Sequence, residues 1–308
     1  MDAEHFRFDG HKISYKTYGS GKRAVVLVHS LLFNQEMHAP LARELATHGN
    51  FVITIDMVGH GASDGPVGHF DMQRYAAALH TLLDKLEIPE AVIGGTSLGA
   101  NIGLEASVHY PERVRGLIVD MPALEAAIIG GSAIFTPIML AAKYAEPVAR
   151  IGSKLIRAVP RWSMPYSANL ILDVLKRDPK ATSDVLQGLY FGRLAPPRIE
   201  RMDIEVPALV IGHKFDPVHP FSDAVQLAED MPNARFVEAR SIVELRLMPR
   251  RLTKEIVEFV DQCWKPRAVK TGGAAAVKRA AKPRRETASR PATKSTAKPA
   301  SKPQSSTA

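Results

Sequence analysis

Cysteine is nearly absent from this chain. Cys263 is the only one in 308 residues, so no internal disulfide can form and a reducing compartment, the cytoplasm, is the expected location. The opening Met1-Asp2-Ala3-Glu4-His5 carries charges and no apolar run, so no signal peptide is expected. Long apolar runs are missing too. The longest uncharged stretch, residues 126–142, is 17 residues long and is interrupted by Gly130-Gly131, Ser132, Thr136 and Pro137, a poor composition for a membrane span. No transmembrane segment is therefore expected. The eleven histidines are scattered, with no H-x-x-x-H and no C-x-x-C, so no metal and no cofactor is implied.

Hydrophobic residues, at 45%, are ample for a sizeable core. The net charge of +8 is unevenly held. Residues 265–308 carry twelve Lys/Arg against one acidic residue, Glu286, a surplus of +11, which leaves −3 for residues 1–264. The body is mildly acidic and the basicity belongs to a tail. That tail is rich in Lys, Arg, Ala, Pro, Ser and Thr, has no side chain able to build a core, and reads as disordered. It has no aromatic residue for base stacking, so any partner is expected to be weak, nonspecific and anionic, such as nucleic acid or an acidic membrane surface. A solvated tail without a partner is the alternative.

Along the body, Phe6-Arg7-Phe8 and Ile13-Ser14-Tyr15 alternate apolar and polar around Asp9-Gly10, the pattern of a β-hairpin. The continuous apolar runs 24–28, 51–55, 91–95, 114–119 and 208–212 read as strands buried on both faces. Helical periodicity fills 36–48, 75–86, 98–110, 221–228 and 252–263, with a last strand at 235–238. Strands alternating with helices imply a mostly parallel, doubly wound α/β sheet with right-handed crossovers. The rhythm breaks at about 122–207, an apolar, helical and proline-punctuated segment. It is expected to be a helical cap inserted into one domain of residues 1–264.

The chain is organised around Gly95-Thr96-Ser97-Leu98-Gly99, a G-x-S-x-G placed between a strand and a helix. Glycines two before and two after the serine allow a tight turn without Cβ clashes, and the helix behind aims backbone N–H groups at a developing oxyanion.

With Val26-Leu27-Val28-His29-Ser30-Leu31, Asp56-Met57-Val58-Gly59-His60-Gly61-Ala62-Ser63-Asp64 and Val206-Pro207-Ala208-Leu209-Val210-Ile211-Gly212-His213-Lys214-Phe215-Asp216, this motif resembles the α/β-hydrolase fold superfamily over roughly residues 5–264. The resemblance implies Ser97 as nucleophile, the Leu98 and Leu31 backbone N–H groups as the oxyanion hole, Asp216 as the triad acid and His29 as a brace for its loop. Asp120, at the end of strand 114–119, is the second position for the acid. The family usually has His-Gly where this chain has His29-Ser30, and a serine there restricts φ.

The histidine base is out of place. Ile242 stands where the family's histidine follows the last strand, and no histidine occurs after His219. Three readings remain. His219 could fill the space, although a helix-start role suits it as well; Glu244 could serve as an unusual base, although pairing with Arg246 or Arg240 is the plainer reading; or there is no base and the protein is a ligand-binding pseudo-hydrolase. The apolar inserted segment favours a small hydrophobic carboxylic ester or related acyl substrate.

Overall fold

The computed structural model describes residues 3–65, 70–160 and 164–266. The basic tail, apart from its first two residues, lies outside the described residues.

The hairpin is formed by β1 (Glu4–Phe8) and β2 (His11–Tyr18), turned at Asp9 (φ 50°) and Gly10 (φ 80°) as a primed two-residue turn requires. Strands β3 (Arg23–Val28), β4 (Asn50–Asp56), β5 (Ala91–Thr96), β6 (Val114–Asp120), β7 (Ala208–His213) and β8 (Ala234–Ala239) follow. The eight-stranded sheet has the order β1-β2-β4-β3-β5-β6-β7-β8. β1–β2 and β2–β4 are antiparallel and every other pair is parallel, so the C-terminal ends of β3 to β8 share one edge.

The apolar runs are uninterrupted because both sheet faces are covered. Val26 and Val28 of β3 pack on one side with Leu79 and Leu82 of α2 (Met72–Lys85), Ile102 of α3 (Leu98–His109) and Leu227 of α9 (Phe221–Asp230). Val25 and Leu27, one residue out of phase, pack on the other with Leu45 of α1 (Ala39–Thr47) and Leu252, Ile256 and Val260 of α11 (Arg250–Cys263). This is the two-residue period of a strand used on both sides. Each fully buried side chain of this kind is worth about 1.5–3 kcal/mol.

α2 starts three residues before the apolar periodicity does, because the Asp71 carboxylate caps it by accepting from the Arg74 N–H at 2.9 Å. Between β6 and β7 lie α4 (Ala127–Tyr144), α5 (Glu146–Arg157), α6 (Tyr166–Leu175), α7 (Pro179–Phe191) and the short α8 (Arg198–Arg201). The stretch after β8, expected as loop, contains one turn of helix, α10 (Glu244–Leu247).

Candidate active site

Ser97 joins β5 to α3 at φ 54° and ψ −109°, a left-handed conformation costly for a residue with a Cβ. Three contacts hold it. Its N–H donates to the Asp120 carbonyl at 2.8 Å, its own carbonyl accepts from the Asn101 N–H at 3.0 Å, and glycines let the neighbouring backbones close in. A Cβ on Gly95 would sit 2.2 Å from the Gly99 carbonyl carbon, and one on Gly99 would sit 2.1 Å from the Val28 oxygen. Both glycines are there for space, and the positive φ falls on the serine itself.

The base is His219. Its Nε2 lies 2.7 Å from the Ser97 Oγ and its Nδ1 lies 2.9 Å from Asp216 Oδ2. The reading in which Ser97 lacks a basic neighbour therefore does not hold. The histidine reaches the serine from the loop after β7. Phe215 (φ 62°) turns the chain sharply there, and Asp216 Oδ1 then accepts from the N–H groups of Val218 (2.8 Å) and His219 (3.0 Å). This aspartate-stabilised turn brings the Asp216 carboxylate and the His219 ring, three residues apart, onto one side. Burial pushes the Asp216 pKa up, but its bond to His219, the attraction of that ring in its protonated form and the two N–H donors outweigh burial and hold it below the usual carboxylate value. An ionised Asp216 fixes the proton on His219 Nδ1 and leaves the Nε2 lone pair facing the serine hydroxyl.

Leu31 and Leu98 both line the cavity of about 260 Å³ that contains Ser97 and His219. The concern over Ser30 is misplaced. The left-handed residue of that turn is Leu32 (φ 66°), and the turn is closed by Phe33 N–H to the Ser30 carbonyl at 3.1 Å. His29 is a brace: Nε2 accepts from the Met57 N–H at 3.0 Å and Nδ1 faces the Ser30 carbonyl at 2.9 Å. Burial lowers its pKa to about 4, so it is neutral at ordinary pH.

The remaining cavity wall is mainly apolar, with Ile128 and Phe135 from α4 and Leu186 and Leu189 from α7, beside Ser132 and Tyr190. Asn101 also faces it, but its amide is used up on Ala123 and Leu194. A larger cavity of about 580 Å³, beside Arg177 and His60, shares no lining residue with the Ser97 site. Among the described residues, no cluster of His, Cys, Asp and Glu is arranged to hold a metal ion.

The other candidates do different work. Asp120 serves a second histidine: Oδ1 lies 2.7 Å from His213 Nε2, and Oδ2 accepts from Thr96 Oγ1 at 2.8 Å. His213 Nδ1 faces the Ser241 carbonyl at 3.0 Å, so both ring nitrogens meet acceptors and the imidazolium form is favoured. Burial opposes the charge on each, but the pairing prevails, raising the His213 pKa and lowering that of Asp120. Glu244 is engaged by Arg251 at 2.8 Å through both oxygens, and Arg246 turns instead to Thr96 at 2.7 Å. Ile242 is half-exposed on its loop. The sequence reading did not find this Asp120–His213–Thr96 cluster. The one available signal was two titratable residues at the ends of adjacent parallel strands.

The family model described as "alpha/beta hydrolase fold" matches residues 23–240. The chain is 30% identical over 232 residues to 3-oxoadipate enol-lactonase 2 of Acinetobacter baylyi, covering 70% of this chain and 80% of that protein. It is 27% identical over 247 residues to a 2-hydroxy-6-oxononadienedioate/2-hydroxy-6-oxononatrienedioate hydrolase of Paraburkholderia phymatum, covering 73% of this chain and 82% of that one. The crystal structure of the enol-lactonase from Burkholderia xenovorans LB400 superposes with a TM-score of 0.69 at 24% identity, covering 84% of this chain and all of that one. By its sheet, its serine turn and these relatives, the chain belongs to the α/β hydrolase fold family of hydrolases.

Proposed function

We propose that this protein is a serine hydrolase that cleaves a small hydrophobic carboxylic ester or related acyl compound. The observation that carries this reading is the continuous hydrogen-bonded line Asp216–His219–Ser97 at the wall of an apolar cavity.

In this reading His219 Nε2 takes the proton as the Ser97 Oγ attacks the substrate carbonyl. The tetrahedral oxyanion is received by the Leu31 and Leu98 N–H groups, each donor being worth on the order of a hundred- to a thousandfold in rate. Leu98 opens α3, so its N–H has no partner within the helix and is free to face an oxyanion. His219 returns the proton to the leaving oxygen. It then activates water to release the acid and restore Ser97. No cofactor is required.

The substrate class rests on the cavity. About 260 Å³ of mainly apolar space fits a short acyl or cyclic ester rather than a sugar or nucleotide. A relative named as an enol-lactonase opens a cyclic ester, which agrees with this class. The helices α4–α7 act as the cap that closes the cavity over Ser97. The non-catalytic alternative rested on a missing base, and His219 removes that ground.

The test is reaction with a fluorophosphonate probe together with hydrolysis of short p-nitrophenyl esters. Labelling of Ser97, with turnover lost in Ser97→Ala, is expected. Folded protein that is never labelled and hydrolyses none of these esters at a rate dependent on Ser97 would sink the reading.

A further inference from the structure

Helix α4 is inverted with respect to water. Its inner side, with Gly131, Phe135 and Ala142, faces the Ser97 cavity and α7, and Thr136 Oγ1 meets the Tyr190 hydroxyl at 2.9 Å. Its outer side carries Ile129 (80% exposed), Ile134, Ile138, Leu140 and Tyr144, without a charge until Lys143. Of its 18 residues only Ala127 and Ala142 are fully buried. Ile151 and Leu155 of α5, which packs on α4, and Ile171 and Leu175 of α6, which packs on α5, are exposed as well. Monomeric soluble proteins rarely leave this many large apolar side chains of adjoining helices in water.

Among the described side chains of α4 and α5 the charged ones are all basic. On α5 the exposed Arg150 and Lys154 alternate with the exposed Ile151 and Leu155, and Lys143 closes α4. Long basic side chains at the edge of an apolar face suit a lipid headgroup layer, where the stem lies in apolar surroundings and the charge reaches outward. They suit a second copy of the chain poorly, because two such faces would bring like charges together and protein interfaces are depleted of lysine. The sequence after residue 264 adds a surplus of +11 of the same sign.

We propose that the outer face of α4 and α5 docks this protein onto an anionic lipid bilayer, with the helices lying in the interface rather than crossing it. At about 1.5 Å per residue the 18 residues of α4 barely reach the thickness of a hydrocarbon core, Pro137 interrupts them, and one side is committed to the protein. Docked in this way, α4 stands between the bilayer and the cavity it lines. Gly130 sits against the Pro217 carbonyl of the loop that carries His219, since a Cβ there would approach to 2.4 Å.

The experiment uses the full chain and vesicles of phosphatidylcholine alone or mixed equally with phosphatidylglycerol, read by co-sedimentation, with light scattering for oligomeric state. The wild type is expected to pellet with the mixed vesicles and only weakly with phosphatidylcholine. Ile129→Asp with Leu155→Asp, both at exposed positions, should lower partitioning about tenfold or more at unchanged circular dichroism. Tyr144→Asp with Ile151→Asp is a second pair should the first lose its fold. Undiminished binding of both pairs would show that the basic tail alone holds the protein, and would overturn the proposal. Absence of binding to either vesicle would overturn it as well, as would a dimer that the same substitutions dissolve. None of these readouts depends on the hydrolase activity.

Discussion

At Ser97 the local conformation costs on the order of 1–3 kcal/mol, and the surroundings hold it in place through the Asp120 carbonyl and the close approach of Gly95 and Gly99. Gly99→Ala should therefore destabilise the whole domain. Its Cβ would lie 2.1 Å from the Val28 carbonyl, a rigid strand atom, and a loss of at least about 1–3 kcal/mol is expected in a denaturant titration. An unchanged midpoint would mean that α3 can move away from β3 freely. The acid is tested separately. In Asp216→Asn the two N–H acceptor bonds of Oδ1 can be kept, while the amide no longer fixes the His219 tautomer. Turnover of a p-nitrophenyl ester should fall by about 10⁴-fold with KM little changed. A fall of less than tenfold would assign the acid to another residue.

At the scale of elements, a strand's two-residue period and a helix's turn are local signals. The hairpin, the buried strands and the helices are for that reason legible in the sequence, as is the serine turn, whose chemistry lies within five residues. The histidine beside Ser97 is different. His219 lies 122 positions from Ser97, and only the left-handed turn at Phe215 and the Asp216 side-chain bonds aim it there. A residue count after the last strand points instead at Ile242. The partners of Asp120 were hidden for the same reason, since His213 is 93 residues away and meets it only through the β6–β7 register. That pair ties the ends of β6 and β7 beneath the serine turn and makes stability depend on pH. Because the folded pKa of His213 is raised, its contribution is present below the ordinary histidine value and is lost as pH rises through the folded one. The lowered pKa of Asp120 places the acid limit below the ordinary carboxylate value. His213→Gln should thus melt lower than wild type at neutral pH, with the difference shrinking as the medium becomes alkaline. A difference independent of pH would show that the pair is uncharged.

At the scale of the molecule, the parallel sheet brings the C-terminal ends of β5, β6 and β7 to one edge, where Ser97 follows β5, the Asp120 carbonyl ends β6 and the Asp216–His219 loop follows β7. Of the inserted helices, α4 and α7 line the Ser97 cavity with mainly apolar side chains, and α4 also carries exposed apolar ones. The account stands or falls on whether His219, reaching in from the loop after β7, is the base for Ser97. The most direct measurement is the second-order rate of Ser97 labelling by a fluorophosphonate, compared between wild type and His219→Gln at matched circular dichroism. Wild type should be labelled at Ser97, and the variant should react at least about 10³-fold more slowly, the order expected when a triad base is removed. Equal labelling rates would contradict the account, because Ser97 would then be activated without the histidine that lies 2.7 Å from it.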